Sequence, residues 1–466
     1  MKEKRNIFEE LDPIFHPRSV AILGASGKKG KVGRLFMERF MEAGFQKLYP
    51  VNPRQKEVLG VEAFPALTAI PGPVDLGLIL TPPAEVIAAV KECAAKGVKG
   101  IIITTAGFGE RGEKGKELER EIARIAREGN ARVIGPNCLG IYCPSSRLPF
   151  PQGPGMESGS VGIVSQSGSF ADHLALAGTT KGIRFSKGIS SGNECDLGAI
   201  DFLEYLGEDP DTEIIILYLE GIKEGRRFYL LAREITKRKP IIAWKSGTTE
   251  AGARAAASHT GAFAGSRHLW DAVFRQTGMI SVHSLEEVMD CLSLLYFQPL
   301  PRGRKVGIIT GPGGPAVGTA DACLDLGLEV PPFCEETKKK LQKIIAPVGT
   351  SVDNPVDMSI AAAIDPDVYG NVIRILGQDK NVDMLLVIGN GGKIFDRAII
   401  EAMGELQKPL AVAIILPFEL VMQDFKLLQG SSVPVYTDPR RAVNALAKVV
   451  GCVDRRAGFR SGSGPL

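Results

Sequence analysis

Ser19-Val-Ala-Ile-Leu-Gly-Ala-Ser-Gly-Lys-Lys-Gly-Lys-Val-Gly-Arg-Leu-Phe-Met-Glu-Arg-Phe-Met-Glu42 passes from a short apolar run, through a glycine turn, into an amphipathic stretch. Four to five β-branched and aliphatic residues followed by apolar residues at helical spacing is the strand-turn-helix unit of a parallel sheet. The pattern restarts twice, at Gly159-Ser-Val-Gly-Ile-Val-Ser-Gln-Ser-Gly168 and at Arg304-Lys-Val-Gly-Ile-Ile-Thr-Gly-Pro-Gly-Gly314. Three restarts predict an α/β chain of three doubly wound units. Proline- and glycine-rich segments, Pro144 to Gly159 and Gln298-Pro-Leu-Pro-Arg-Gly303, divide them into domains at 1–145, 158–297 and 303–458.

Composition narrows the function classes. At 466 residues the chain is long enough for about three domains, each with its own core. Its 56 basic and 53 acidic residues leave a net charge of +3, so no global electrostatic case exists for a nucleic-acid partner and any phosphate site must be local. The charged start and the absence of an uninterrupted apolar run argue against a signal peptide or membrane span, and a cytoplasmic protein is expected. Eight scattered cysteines, with no Cys-x-x-Cys pair, give no support to a zinc site or a disulfide framework, and no metal site is expected in this chain.

The first turn spaces its glycines Gly24-x-x-Gly27-x-x-Gly30-x-x-Gly33, with Ser26 and several lysines among them. Backbone N–H groups in such a turn can cradle phosphate oxygens, although tight packing alone would also ask for glycine. The spacing is neither the dinucleotide fingerprint nor a Walker A loop. The next strand ends Leu48-Tyr-Pro-Val-Asn-Pro-Arg54, with no carboxylate for ribose hydroxyls, and Arg54 suits a phosphorylated ribose, as in NADP or coenzyme A. Loops at Thr81-Pro-Pro83, Thr104-Thr-Ala-Gly-Phe-Gly-Glu110 and Gly135-Pro-Asn-Cys-Leu-Gly140 fall at expected carboxyl ends of strands, where such sheets bind ligands, and favour coenzyme A.

In the second unit the turn Ser165-Gln-Ser-Gly168 offers hydroxyls, backbone donors and a helix start to an anion. Ser165 stands where a hydrolase elbow needs glycine, which disfavours a serine nucleophile; helix capping is the plainer alternative. Further on, Ser258-His-Thr-Gly261 sets His259 among alanines and glycines, with room for a large reactant, and neutral imidazole is a good nucleophile. His16, His173, His268 and His283 lack that setting. A reacting imidazole needs an acceptor on its other nitrogen, and Glu220, at the end of the apolar run Glu213 to Leu219, is the leading candidate; a solvated strand end is the alternative. Asn193-Glu-Cys-Asp196 offers a second polar loop near the same sheet edge.

Phe15-His-Pro-Arg-Ser-Val-Ala-Ile-Leu-Gly-Ala-Ser26, Gly135-Pro-Asn-Cys-Leu-Gly140, Val164-Ser-Gln-Ser-Gly168 and Ser258-His-Thr-Gly261, in this order, resemble the NDP-forming acyl-CoA synthetases. That superfamily includes succinyl-CoA synthetase, and the likeness is to the α subunits of its ADP-forming members. The resemblance implies a Rossmann-like CoA-binding domain followed by two flavodoxin-like domains, the first bearing a phosphohistidine. It makes His259 the phosphorylated residue, Glu220 its stabilising carboxylate, and Ser165, Gln166, Ser167 and Gly168 the phosphate-binding turn. Gly24, Ser26, Gly27, Asn52, Arg54, Thr81, Glu110 and Asn137 become CoA-site candidates. The implied reaction turns acyl-CoA, ADP and phosphate into acid, ATP and CoA through an acyl phosphate and phospho-His259.

No ATP-grasp segment is recognisable in the chain, so the resemblance also implies a separate ATP-grasp β subunit carrying ADP or ATP with Mg²⁺, in an α2β2 heterotetramer, and a small acyl substrate. The loops Gly311-Pro-Gly-Gly-Pro315, Asp353-Asn-Pro-Val-Asp357 and Gly389-Asn-Gly-Gly392 of the third unit are expected as a docking surface or a station near that partner, or as turns alone. Two other classes compete: a CoA-responsive regulatory module without turnover, and an NADP-dependent dehydrogenase. His259 in its small-residue loop together with Glu220 argues against the first, and the second leaves the later units unexplained.

Overall fold

A computed structural model describes residues 6–254, 266–346, 348–359, 365 and 367–461. It contains three main sheets, parallel except for one edge strand, in two compact units, the first comprising residues 1–180 and 184–281 and the second 181–183 and 282–466.

In the first unit β1 (Val20–Leu23), β2 (Leu48–Val51), β5 (Leu76–Ile79), β6 (Gly100–Ile103) and β7 (Arg132–Ile134) form a parallel sheet in the order β2-β1-β5-β6-β7, beside a small hairpin of β3 (Glu57–Val58) and β4 (Val61–Glu62). The apolar runs are buried on both faces, as helices covering both sides of a parallel sheet require. The second sheet runs β13 (Ile280–Ser281), β12 (Ile241–Lys245), β11 (Ile214–Leu219), β9 (Ser158–Ser165), β10 (Phe185–Ser190), β8 (Gly140–Tyr142), and all its pairings are parallel except the last. β8 follows the first sheet in sequence but pairs antiparallel at the edge of the second.

These two sheets share one core. The amino-terminal helix Ile7–Phe15 buries Leu11, Ile14 and Phe15, and Phe15 stacks on Tyr205 of the second sheet's helix Ala199–Glu208 at 4.4 Å between ring centroids.

The second unit holds β14 (Val306–Thr310), β15 (Val356–Asp357), β16 (Met384–Gly389), β17 (Leu410–Ile414) and β18 (Val435–Tyr436), all parallel, in the order β15-β14-β16-β17-β18. Asn354 pins this sheet, donating to the carbonyls of Val306 and Pro331 and accepting from the Ile308 N–H.

Counted by their parallel strands, all three sheets have the doubly wound order 2-1-3-4-5. Each has a switch point at the carboxyl end of its first strand, where ligands bind in open α/β sheets. The three glycine-containing restarts of the sequence lie at these points.

Candidate active site

The first switch point opens a cleft of about 790 Å³ lined by Gly24, Ser26, Lys31, Asn52, Arg54 and Thr81, among others. Its floor is built by close backbone approach. Gly24 has φ +91°, and a Cβ there would stand 3.0 Å from the Leu80 carbonyl carbon; a Cβ on Gly33 would collide with the Gly24 carbonyl oxygen. Only glycine lets the helix Val32–Glu42 begin so near the turn.

Asn52 shapes the wall: its Nδ2 donates to the Ala25 carbonyl (2.8 Å) and its Oδ1 accepts from the Arg54 N–H (2.8 Å). Gln55, which the sequence reading missed, accepts from the Gly27 N–H at 3.2 Å, so Gly27 serves the turn and does not line the cleft. The Thr81 hydroxyl is buried in the cleft wall with no hydrogen-bond partner among the described residues, and the same is true of Thr104, which lines the smaller pocket described below. Buried hydroxyls are normally satisfied, so Thr81 leaves a polar group available to a ligand.

Glu110 and Asn137 lie elsewhere, at the junction of the two sheets. The Glu110 carboxylate accepts from the N–H groups of Gly107 and Phe108 and from Asn193 Nδ2 (2.5 Å). Burial raises its pKa, but those hydrogen bonds outweigh burial and hold it below the usual carboxylate value. Asn137 donates to Asn193 Oδ1 at 3.3 Å. The backbone of the loop after β10 is registered along residues 133–136, through Asn193 N to Pro136 O, Cys195 N to Gly135 O and Leu197 N to Val133 O. Asp196, with no exposed side chain, accepts from Arg132 Nε and from the Val133 N–H.

Beside that junction Asn137, Cys138, Leu139, Gln166, Ser167, Gly168 and Gly192 surround a smaller pocket of about 230 Å³. It brings the first domain's Gly135 to Gly140 loop against the 165–168 turn. Ser165 Oγ donates to the Ser167 carbonyl (2.6 Å) and accepts from the Ser167 N–H, and Ser167 Oγ accepts from the Phe170 N–H. The turn thus caps the helix Gly168–Thr180 and presents its start to the pocket.

Glu220, 6% exposed, directly follows β11 beside this turn. Gln166 Oε1 accepts from the N–H groups of Glu220 (2.5 Å) and Gly221 (3.0 Å). Lys245, at the end of β12, donates to the Glu220 carbonyl (2.8 Å), and burial pushes its ammonium down to about 8 although the Glu220 charge pulls the other way. His259 lies outside the described residues. The chain that leads to it leaves β12 next to Glu220, with Ser246 N donating to the Leu219 carbonyl at 2.9 Å.

In the second unit the three loops named from sequence line a cleft of about 600 Å³, with Gly311, Gly313, Asp357, Asn390 and Gly392 in its wall. Among the described residues no group of three or more His, Cys, Asp or Glu is placed to hold a metal ion. No described helix is long and apolar enough to cross a membrane.

Three doubly wound sheets, the first with a cleft at its glycine turn and the second with a capped helix start beside a buried glutamate, coincide with the domain set of a CoA ligase of the succinyl-CoA ligase type. Residues 18–144 match the CoA binding domain, 158–295 the succinyl-CoA ligase like flavodoxin domain, and 306–406 the ligase-CoA domain. Acetate–CoA ligase (ADP-forming) II subunit alpha of Pyrococcus furiosus is 39% identical over 448 residues, covering 94% of this chain and 97% of that one. The Archaeoglobus fulgidus acetate–CoA ligase (ADP-forming) I is 36% identical over 94% of this chain, which spans 63% of that longer protein. Among solved structures, the dinucleotide-forming acetyl-coenzyme A synthetase 1 of Ca. Korarchaeum cryptofilum, in complex with phosphate and ADP, superposes with a TM-score of 0.89 at 31% identity, covering 98% of this chain and 99% of that one. The chain belongs to the family of ADP-forming acetate–CoA ligase α subunits. Neither a dehydrogenase nor a regulatory module is favoured by these likenesses.

Proposed function

We propose that this chain binds an acyl-CoA across the first-domain cleft and moves a phosphoryl group from an acyl phosphate to His259. Gly24, Ser26, Asn52, Arg54 and Thr81 form the coenzyme A site, with the Thr81 hydroxyl, unpartnered among the described residues, and the Arg54 guanidinium offered to the ligand. Phosphate sits at the helix start of Ser167 and Gly168, where backbone donors and the helix dipole favour an anion, while Ser165, buried with its hydroxyl bonded to Ser167, shapes the turn. A phosphate oxygen attacks the thioester carbonyl, the C–S bond breaks and CoA leaves with a proton. The His259 nitrogen then attacks phosphorus, the bond to the acyl oxygen breaks and the acid departs.

Glu220 orients the imidazole and stabilises its phosphorylated form. The observation that carries this reading is the pocket in which the first domain's Asn137 loop meets the 165–168 turn, next to the strand end that holds Glu220. The second half of the reaction, transfer to ADP with Mg²⁺, belongs to an ATP-grasp β subunit in an α2β2 assembly. The family membership supports a partner subunit, and relatives that carry additional chain in one polypeptide fit the same division. Eight free cysteines fit a reducing, cytoplasmic setting.

Thermal melting tests the coenzyme site, because a ligand bound only by the folded state raises its stability. CoA is expected to raise the melting temperature of the full chain, and Arg54→Ala or Thr81→Val to shrink that rise. Stabilisation by NADPH and not by CoA would remove the reading.

A further inference from the structure

Gln166 lines the small pocket at the phosphate turn, yet the residue is only 7% exposed and its side-chain amide bonds inward. A glutamine amide has one carbonyl with two lone pairs and one NH2 with two donors. Here all four are engaged: Oε1 accepts from Glu220 N (2.5 Å) and Gly221 N (3.0 Å), while Nε2 donates to the Gly221 carbonyl (2.8 Å) and to Glu194 Oε1 (3.0 Å). The amide orientation is dictated by its surroundings, since reversing it would turn the NH2 against two N–H groups and the oxygen against two acceptors. No donor remains for a phosphate oxygen.

The Glu194 oxygen that receives Gln166 is itself fixed, accepting also from Ser191 Oγ (2.8 Å) and the Ala199 N–H (3.0 Å). Desolvation raises the Glu194 carboxyl above its ordinary value, against the pull of the Ser191 and Gln166 bonds. A rigid line therefore runs from the helix Ala199–Glu208 through Glu194 and Gln166 to the peptide that carries the Glu220 side chain.

We propose that Gln166 is a positioning residue and not a phosphate ligand: anchored on Glu194, it clamps the Glu220–Gly221 backbone and so sets where the Glu220 carboxylate meets the reacting histidine. The inference rests on the reading of Glu220 and His259 given above. It separates two roles that the 165–168 turn would otherwise share, anion binding by the helix start with Ser167, and alignment of the carboxylate by the glutamine.

The test follows acid-labile, base-stable label entering the full chain from radiolabelled inorganic phosphate, with acetyl-, isobutyryl- or phenylacetyl-CoA, whichever labels the wild type fastest. Gln166→Met removes all four bonds at similar volume. Its maximal labelling rate is expected to fall roughly 10–100-fold, the usual loss for a supporting residue, with half-saturating phosphate unchanged. In the Glu220→Gln background the same substitution is expected to cost under about 3-fold, because the group it positions is already lost.

A rise in half-saturating phosphate at unchanged maximal rate overturns the proposal in favour of a phosphate ligand. An equal loss in both backgrounds overturns it in favour of general structural support. If Gln166→Met does not fold, Gln166→Glu is read instead. It keeps the two bonds from N–H groups, so a slower rate at unchanged half-saturation is expected, whereas a carboxylate in a phosphate site would raise half-saturation. Wild-type labelling by Glu220→Gln removes the role of Glu220, and with it both readings. A slow Glu220→Gln with additive Gln166→Met removes only this one.

Discussion

Gly192→Ala tests the junction on which the site depends. Gly192 follows β10 with φ +61°, and a Cβ there would collide with the Pro136 carbonyl oxygen and stand 2.6 Å from the Asn137 oxygen. Two costs add. An L-residue in the left-handed region costs about 1–2 kcal/mol, and forcing a methyl into a filled contact costs about 1–3 kcal/mol, so a loss of about 2–5 kcal/mol is expected. Both tryptophans of the chain, Trp244 and Trp270, lie in the first unit, so their fluorescence during urea unfolding reports on the unit that contains the junction. Gly225→Ala is the control: none of the described residues comes within 4 Å of its Cβ position at a helix start, and it should be neutral or slightly stabilising. A Gly192→Ala variant within about 0.5 kcal/mol of wild type would show that the two loops do not approach as described.

Two pH predictions follow from buried charges. Burial pushes Lys245 down to about 8 from 10.5, so between those values the unfolded chain binds more protons than the folded one and stability rises with pH; below about 8 this contribution is flat. Lys245→Met should flatten that slope in urea midpoints measured from pH 7.5 to 10, and an unchanged slope would count against the buried ammonium. Asp396 has the opposite sign: burial, then the neighbouring Asp424, raise it from 3.8 to about 7, so the folded chain holds the extra proton and stability falls as pH rises across that window. Asp396→Asn should remove this decline from circular-dichroism melts between pH 4 and 7, and an identical decline in the variant would refute the assignment.

The sequence revealed the fold where the signal is local. An apolar run, a glycine turn and an amphipathic stretch define Val20–Leu23 with Val32–Glu42, Ser158–Ser165 with Gly168–Thr180, and Val306–Thr310 with Gly313–Asp325, because a buried parallel strand and its helix each impose their own periodicity. The same local logic put Gly24, Ser26, Asn52, Arg54 and Thr81 at strand ends, and the structure gathers those five in one cleft.

What pattern could not supply is pairing across distance. Gly140–Tyr142 reads as the end of the first domain, yet it pairs with the second sheet, and nothing in three residues states that partner. Glu110 and Asn137 occupy loops of the expected kind, but their side chains turn to Asn193 of another loop. Gln166 stands in a phosphate-binding motif while its bonds go to residues 28 and 55 positions away. Gln55 carried one available signal, its place just after Asn52-Pro-Arg54, where a long amide can reach back to the turn.

The most direct test of the central claim mixes this chain with the nucleotide-binding β subunit and γ-labelled ATP, then measures acid-labile, base-stable phosphate on the wild type and on His259→Ala. The account predicts label on the wild-type chain and none on His259→Ala. Equal labelling of the two would contradict it.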